Sequence, residues 1–145
     1  DFRPEGGFDF RRILIERVFE ADLPPVPCNR SRLQQVLLNL LKNGADAMNS
    51  SASQKEPTFT IRLSRRGGMV QLEVSDNGPG MEAEVRSRVF EPFFTTKEQG
   101  KGTGLGLSIC YYIITENHKG TIDVESAPGK GTTFRIRLPL QSESP

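Results

Sequence analysis

Between Thr58 and Leu138 the sequence contains two pairs of short segments in which apolar and polar residues alternate one by one, each pair joined by a glycine-rich turn. Phe59, Ile61 and Leu63 share one face, Arg65-Arg66-Gly67-Gly68 supplies a turn, and Val70, Leu72 and Val74 repeat the pattern. Ile122 and Val124, a turn at Pro128-Gly129-Lys130-Gly131, and then Phe134, Ile136 and Leu138 do the same. Period-two alternation bounded by turn residues marks half-buried strands, so the chain contains two β-hairpins. The apolar face of each must be covered. One helix is predicted from near Asn29 or Ser31, where Ser31 and Gln34 have capping-box spacing, to about Met48. Another runs from Leu105 to Asn117 and closes at His118-Lys119-Gly120, and Met81 to Val89 suits a short third.

The segment from Phe10 to Ala21 is read as extended, from Ile13, Ile15 and Val18 and the closing Leu23-Pro24-Pro25. Asn49 to Pro57 has loop composition, and Phe90 to Gly104 has neither period and reads as a long mobile loop. The expected fold class is α+β: a two-layer α/β sandwich with a mixed, mostly antiparallel sheet packed against about three helices. A length of 145 residues suits one domain, here 1–145 with its core at about 10–140 and frayed ends at 1–9 and 141–145.

Nineteen basic and eighteen acidic residues give a net charge of +1, with no excess to draw the chain to nucleic acid or an anionic membrane. Apolar runs such as Val36-Leu37-Leu38 are far too short for a membrane span or a signal-peptide core. Cys28 and Cys110 lack CxxC spacing and read as reduced thiols of a cytosolic domain, and with His118 alone they fall short of a four-ligand structural zinc set.

Three features point to chemistry. On the first helix, Gln35, Asn39, Asn43 and Asp46 fall within an arc of roughly 80°. Val36, Leu37, Leu40, Leu41, Gly44 and Met48 cover the opposite side, flanked by Leu38 and Ala45. An ordinary solvated face would carry Lys, Glu and Arg, since Asn costs about 0.5 kcal/mol of helix propensity relative to Ala. Amide oxygens facing a cavity suit a Mg²⁺ that keeps most of its waters and also binds phosphate. A polar seam satisfied by neighbouring backbone is the alternative, and the helix alone leaves both open.

Next, Asp76 stands where an alternating strand runs into Asn77-Gly78-Pro79-Gly80. An ionised Asp only accepts hydrogen bonds, which suits the exocyclic amine of adenine and opposes the oxygen guanine presents there. A plain Asx-turn is the alternative. Finally, Gly100-Lys101-Gly102-Thr103-Gly104-Leu105-Gly106 opens directly into a helix, as a backbone cradle for polyphosphate would, with Lys101 as counter-charge. It is neither a Walker A loop nor a GxGxxG following a strand. Phe90, Phe93 and Phe94, with Thr95 and Thr96, precede it as a candidate lid.

Together these segments resemble the catalytic and ATP-binding domain of bacterial sensor histidine kinases, within the Bergerat-fold ATPase superfamily. Gln35 to Ala47 is similar to the N box, Asp76 to Gly80 to the first glycine box and Phe90 to Lys97 to the F box. Gly102 to Gly106 is similar to the second glycine box, and Gly129 to Phe134 to the closing glycine segment. The match spans residues 23–140 in family order, and the wording of the N and F boxes resembles the nitrogen-regulatory sensor subgroup. The resemblance implies Asn43 as the Mg²⁺ ligand, Asn39 placing phosphates, and Asp46 in the same site. It implies Asp76 on the adenine amine, backed by Thr132, with Gly78, Gly80 and Met81 around the base. Lys97 and Lys101 would meet phosphate, and Gly102, Thr103, Gly104, Leu105 and Gly106 would wrap the triphosphate.

It further implies a kinase that takes Mg-ATP and donates phosphate to a histidine on a separate dimerisation domain, with a response regulator downstream. No such helical hairpin fits in residues 1–28, and His118 matches a structural turn of the family. A monomeric, cytoplasmic catalytic domain without its own acceptor is therefore expected, making no membrane or nucleic-acid contact itself; a membrane anchor elsewhere in the full-length protein remains compatible. An ATP-hydrolysing clamp of the gyrase B, mismatch-repair or heat-shock chaperone type carries Glu where this chain has Asn39, and an amide cannot take a proton at neutral pH. A noncatalytic nucleotide-binding module and a serine kinase of the anti-sigma type share the boxes.

Overall fold

The computed structural model describes residues 12–50, 56–96 and 104–140. Strand β1 (Leu14–Phe19) leads into helix α1 (Arg30–Ser50), followed by the hairpin β2 (Thr58–Arg66) and β3 (Met69–Asp76). A single helical turn, α2 (Ala83–Arg86), and helix α3 (Gly106–Tyr112) come next. A π-helical turn (Ile113–Asn117) extends α3, and β4 (Thr121–Ser126) and β5 (Thr132–Pro139) close the chain. The five strands form one sheet in the order β1-β2-β3-β5-β4. All neighbours are antiparallel except β1 and β2, which are parallel because α1 carries the chain back between them. The expected α/β sandwich is thus the fold observed.

The apolar alternation decides which face is covered. Phe59, Val74, Phe134 and Ile136 point to one side and join Val36, Leu40, Ala45, Cys110, Ile113 and Ile114 from the helices in the core. The opposite face is polar: Arg135 lies 3.0–3.1 Å from Glu73, Asp123 and Glu125. Edge strand β1 is exposed along its whole length.

Local details differ from the sequence reading in physically simple ways. Asn29, not Ser31, caps α1: its Oδ1 accepts the Arg32 N–H at 3.1 Å, while Ser31 already lies inside the helix. The second helix loosens into a π turn, and Gly120 N–H then reaches back to the Ile114 carbonyl at 2.9 Å. Lys119, rather than the glycine, takes the left-handed conformation at that end. The termini read as frayed lie outside the described residues.

Candidate nucleotide site

Helix α1 sits close to the end of the sheet because residue 44 is glycine. A Cβ there would stand 2.5 Å from Cε1 of Phe59 and 3.2 Å from Oδ2 of Asp76. The stripe predicted from the helical wheel is real: Asn39, Asn43 and Asp46 are half-buried, between a fully buried flank and solvent. Gln35, at the outer end, is exposed. Asn39 donates from Nδ2 to the carbonyl of Gly106 at 3.2 Å, tying α1 to the first residue of α3. One helix therefore borders both the Asp76 rim and the residues that close the glycine loop.

Asp76 ends β3 and stands inside the row Phe59–Asp76–Thr132–Ser126, which crosses four strands on the helix-covered face. Its Oδ1 accepts the Gly78 N–H at 2.9 Å, so the Asx-turn weighed from the sequence does form. That bond uses one oxygen and leaves Oδ2 on the side of α1. Burial pushes the carboxyl up from 3.8 to about 6, against the opposing pull of the Gly78 and Thr132 backbone N–H groups. Asn77 fastens the turn from behind, accepting the Thr58 N–H at 3.1 Å and donating to the Glu56 carbonyl at 2.8 Å.

The loop beyond Asp76 is zipped to the β4–β5 hairpin. Gly129 N–H donates to the Pro79 carbonyl at 2.8 Å, and Met81 N–H to Ser126 Oγ at 2.9 Å. Gly80 has φ +74°, and any Cβ on it would run into the Ala127 carbonyl, so only glycine allows the loop to lie this close. Gly78 and Gly131 belong to the same tight contact with Asp76. Sequence reasoning missed Ser126 and Arg86, which donates to the Ser126 carbonyl at 3.0 Å. A single serine after a strand carries no signal distinguishable from turn composition.

The F-box segment is anchored at one end and open at the other. Phe90 packs against Tyr111 and Phe134, with ring centroids 5.3 and 6.1 Å apart. Arg88 lies 4.4 Å over the Phe94 ring, whereas Phe93 is 73% exposed, and Thr95 and Thr96 are exposed too. Phe93 N–H donates to the Gly104 carbonyl at 2.8 Å, which ties the F-box segment to the residue two before α3. Lys97, Lys101, Gly102 and Thr103 lie outside the described residues; Gly104 and Leu105 lead into α3, whose first residue, Gly106, meets Asn39 of α1.

The chemistry of the donor set fits Mg²⁺. Among the described residues no hydrogen bond engages the Asn43 carboxamide, and no cluster of three or more His, Cys, Asp or Glu builds a protein-only metal cage. A cation held by one or two protein oxygens and otherwise by phosphate and water needs no such cage. His118 is fully used within the fold, its Nε2 accepting the Asn29 N–H at 3.0 Å and its Nδ1 2.9 Å from the Ile113 carbonyl.

Residues 28–142 match the family described as histidine kinase-, DNA gyrase B-, and HSP90-like ATPase. The chain belongs to that family. It is therefore an ATP-binding domain, and its similarities fall on the histidine kinase branch. It is 42% identical over 142 residues to the sensory histidine kinase/phosphatase NtrB of Rhodobacter capsulatus, covering 92% of this chain and 39% of that protein. The catalytic domain of histidine kinase ThkA, solved nucleotide-free, superposes with a TM-score of 0.76 at 32% identity, over 90% of this chain and 82% of that one. Full-length ShkA in complex with AMPPNP superposes with a TM-score of 0.74 at 28% identity, over 92% of this chain and 27% of that one. The chain thus spans about two fifths of NtrB, and among the described residues no helix is long and apolar enough to cross a membrane.

Proposed function

We propose that this chain is the catalytic domain of a longer sensor histidine kinase, binding Mg-ATP and donating its γ-phosphoryl group to a histidine on a separate dimerisation domain. The observation that carries the reading is Asp76: a half-buried carboxyl at the sheet rim, one oxygen committed to the Gly78 N–H and the other left facing α1. In this reading Oδ2 accepts from the adenine amine, with Thr132 behind it and Gly78, Gly80 and Met81 shaping the base pocket. Asn43 holds Mg²⁺, with Asp46 beside it, and Asn39 places the phosphates. Lys97 and Lys101 meet phosphate charge, and Gly102 to Gly106 wrap the chain of phosphates. Bound Mg²⁺ would supply charge neutralisation at the phosphates; the residues supply alignment, on which phosphoryl transfer mostly depends.

The acceptor imidazole comes from elsewhere in this reading, because the chain has one histidine and both its ring nitrogens are engaged. A cytoplasmic, monomeric domain acting on a response regulator through that acceptor follows, with no nucleic-acid or membrane contact of its own. The rival ATP-hydrolysing clamp is disfavoured by Asn39, an amide that donates to Gly106 and has no basicity with which to activate water.

Titration with a fluorescent ATP analogue tests the site: Asn43→Ala and Asp76→Ala should each abolish Mg-dependent binding in a folded chain. The isolated chain should turn over little ATP and not label itself, yet phosphorylate a supplied dimerisation domain. Brisk hydrolysis by the chain alone would instead establish the clamp.

A further inference from the structure

Resting on the nucleotide reading above, we infer that Ser126 fixes the direction of the Thr132 hydroxyl, so that the wall beside Asp76 accepts hydrogen bonds and does not donate them. Ser126 is thereby a positioning residue that selects a 6-amino purine over a 6-oxo purine, in addition to Asp76 itself.

A carboxylate alone is an incomplete filter. It accepts from the 6-amino group of adenine, but a 6-oxo purine carries a proton on the neighbouring ring nitrogen, and a carboxylate accepts that proton equally well. What such a base then lacks is a donor for its O6. Rejection of the 6-oxo purine therefore depends on keeping donors away from the flank of Asp76, where an unpaired buried acceptor is costly.

The flank of Asp76 is Thr132, directly opposite it in the β3–β5 ladder, and the next residue along the row is Ser126. Both are buried, at 6% and 4% exposure. Ser126 Oγ makes three contacts of 2.9 Å: with the Met81 N–H, the Gly131 carbonyl and Thr132 Oγ1. A hydroxyl has one proton to give. The amide of Met81 can only donate and the carbonyl of Gly131 can only accept, so Ser126 spends its proton on Gly131. The third contact is satisfied only if Thr132 donates to Ser126. The reverse assignment would leave the buried Gly131 carbonyl without that partner. The Thr132 proton thus points along the row toward β4, and only lone pairs are left for the Asp76 side. Nearby backbone donors are spent as well: Gly78 N–H on Asp76, Met81 N–H on Ser126 and Gly129 N–H on Pro79.

Ser126→Ala frees the Thr132 proton to rotate toward the base and serve O6. The test measures Mg-dependent affinity for ATP and for inosine triphosphate, by calorimetry, in the wild-type chain, Ser126→Ala, Thr132→Val and the double variant. Ser126→Ala is expected to lower the preference for ATP over inosine triphosphate by about tenfold. Adding Thr132→Val should restore that preference, because no hydroxyl is left to donate. A purely structural role would weaken both nucleotides alike, and an unmoved ratio in a variant that still binds ATP overturns the inference while leaving the nucleotide reading intact. A wild-type chain that binds no ATP would remove that reading and the inference with it. If Ser126→Ala does not fold, neutron diffraction from the deuterated wild-type chain decides the point. A deuteron on Thr132 Oγ1 directed at Ser126 Oγ supports the inference, and one directed at Asp76 refutes it.

Discussion

Gly44 of α1 lies over Asp76 of β3 so closely that a methyl group at position 44 would come within 3.2 Å of the carboxyl oxygen Oδ2. The Phe59 ring, 2.5 Å from the same point, blocks any sideways escape. Gly44→Ala should therefore push α1 off the sheet edge and cost about 1–3 kcal/mol, the usual range for overpacking a tight contact. Urea unfolding reads the loss, and ATP affinity should fall with it. Shrinking the ring with Phe59→Leu in the Gly44→Ala background should recover part of both. A Gly44→Ala chain as stable as the parent would mean that this contact does not set the position of α1.

Asp76 ties stability to pH in an unusual direction. Its folded value of about 6 lies above the ordinary 3.8, so the native state holds this proton to higher pH than the unfolded state does. The contribution of this residue to stability is therefore greatest below about pH 4, declines as pH rises to 6, and is flat beyond. Asp76→Asn keeps an oxygen for the Gly78 N–H but removes the charge. Above pH 6 the variant should be more stable by on the order of 2 kcal/mol, with the gain vanishing near pH 4. Its ATP affinity should drop at least about tenfold, because the new amide donor would meet the adenine amine. Unfolding curves between pH 4 and 7 check the sign; a gain independent of pH would contradict the assigned burial.

Much of this was legible in the sequence, and the exceptions have physical reasons. Strands β2 to β5 announce themselves because their apolar residues fall on one face, most clearly from Phe134 to Leu138, where buried and half-buried residues alternate. Strand β1 is exposed on both faces, so Leu14, Ile15, Val18 and Phe19 leave no alternation, and its parallel partner is fixed by a crossover that no local pattern encodes. The carboxamide stripe and Asp76 stood out by being the wrong residues for an ordinary helix face and strand end. Ser126 did not, because its importance lies in bonds to Met81, Gly131 and Thr132 that only the folded hairpin assembles.

Asn39 separates packing from chemistry. Its Nδ2 donates to the Gly106 carbonyl, so the isosteric Asn39→Asp would set one oxygen against another at 3.2 Å. A loss of about 1–2 kcal/mol is expected, the cost of exchanging a hydrogen bond for two facing acceptors. Hydrogen exchange at the amides of Ile109 and Cys110 should rise if α3 loosens from α1. No change at α3 would show that the Asn39–Gly106 bond does not couple the two helices.

The two thiols should differ sharply in reactivity. Cys28 is exposed, while Cys110 is buried under Asn39 and burial pushes its thiol up to about 11. Only the thiolate attacks alkylating reagents, so one equivalent of label should enter the native chain at pH 8 and the second only on unfolding. Two equivalents entering at equal rates would mean that the α1–α3 seam opens readily.

His118 joins the start of α1 to the end of α3. An amide N–H can only donate and a carbonyl can only accept, so the ring is the tautomer with its proton on Nδ1, given to Ile113, while Nε2 takes the Asn29 N–H. His118→Ala should cost about 1 kcal/mol, modest because water can replace the bond at exposed Asn29. Phosphoryl transfer to a supplied histidine domain, counted per folded molecule, should be unchanged. Radiolabel should be absent from the chain itself with or without the substitution. Transfer abolished in a fully folded His118→Ala chain would place this imidazole in the reaction, against the reading that both its nitrogens serve the fold.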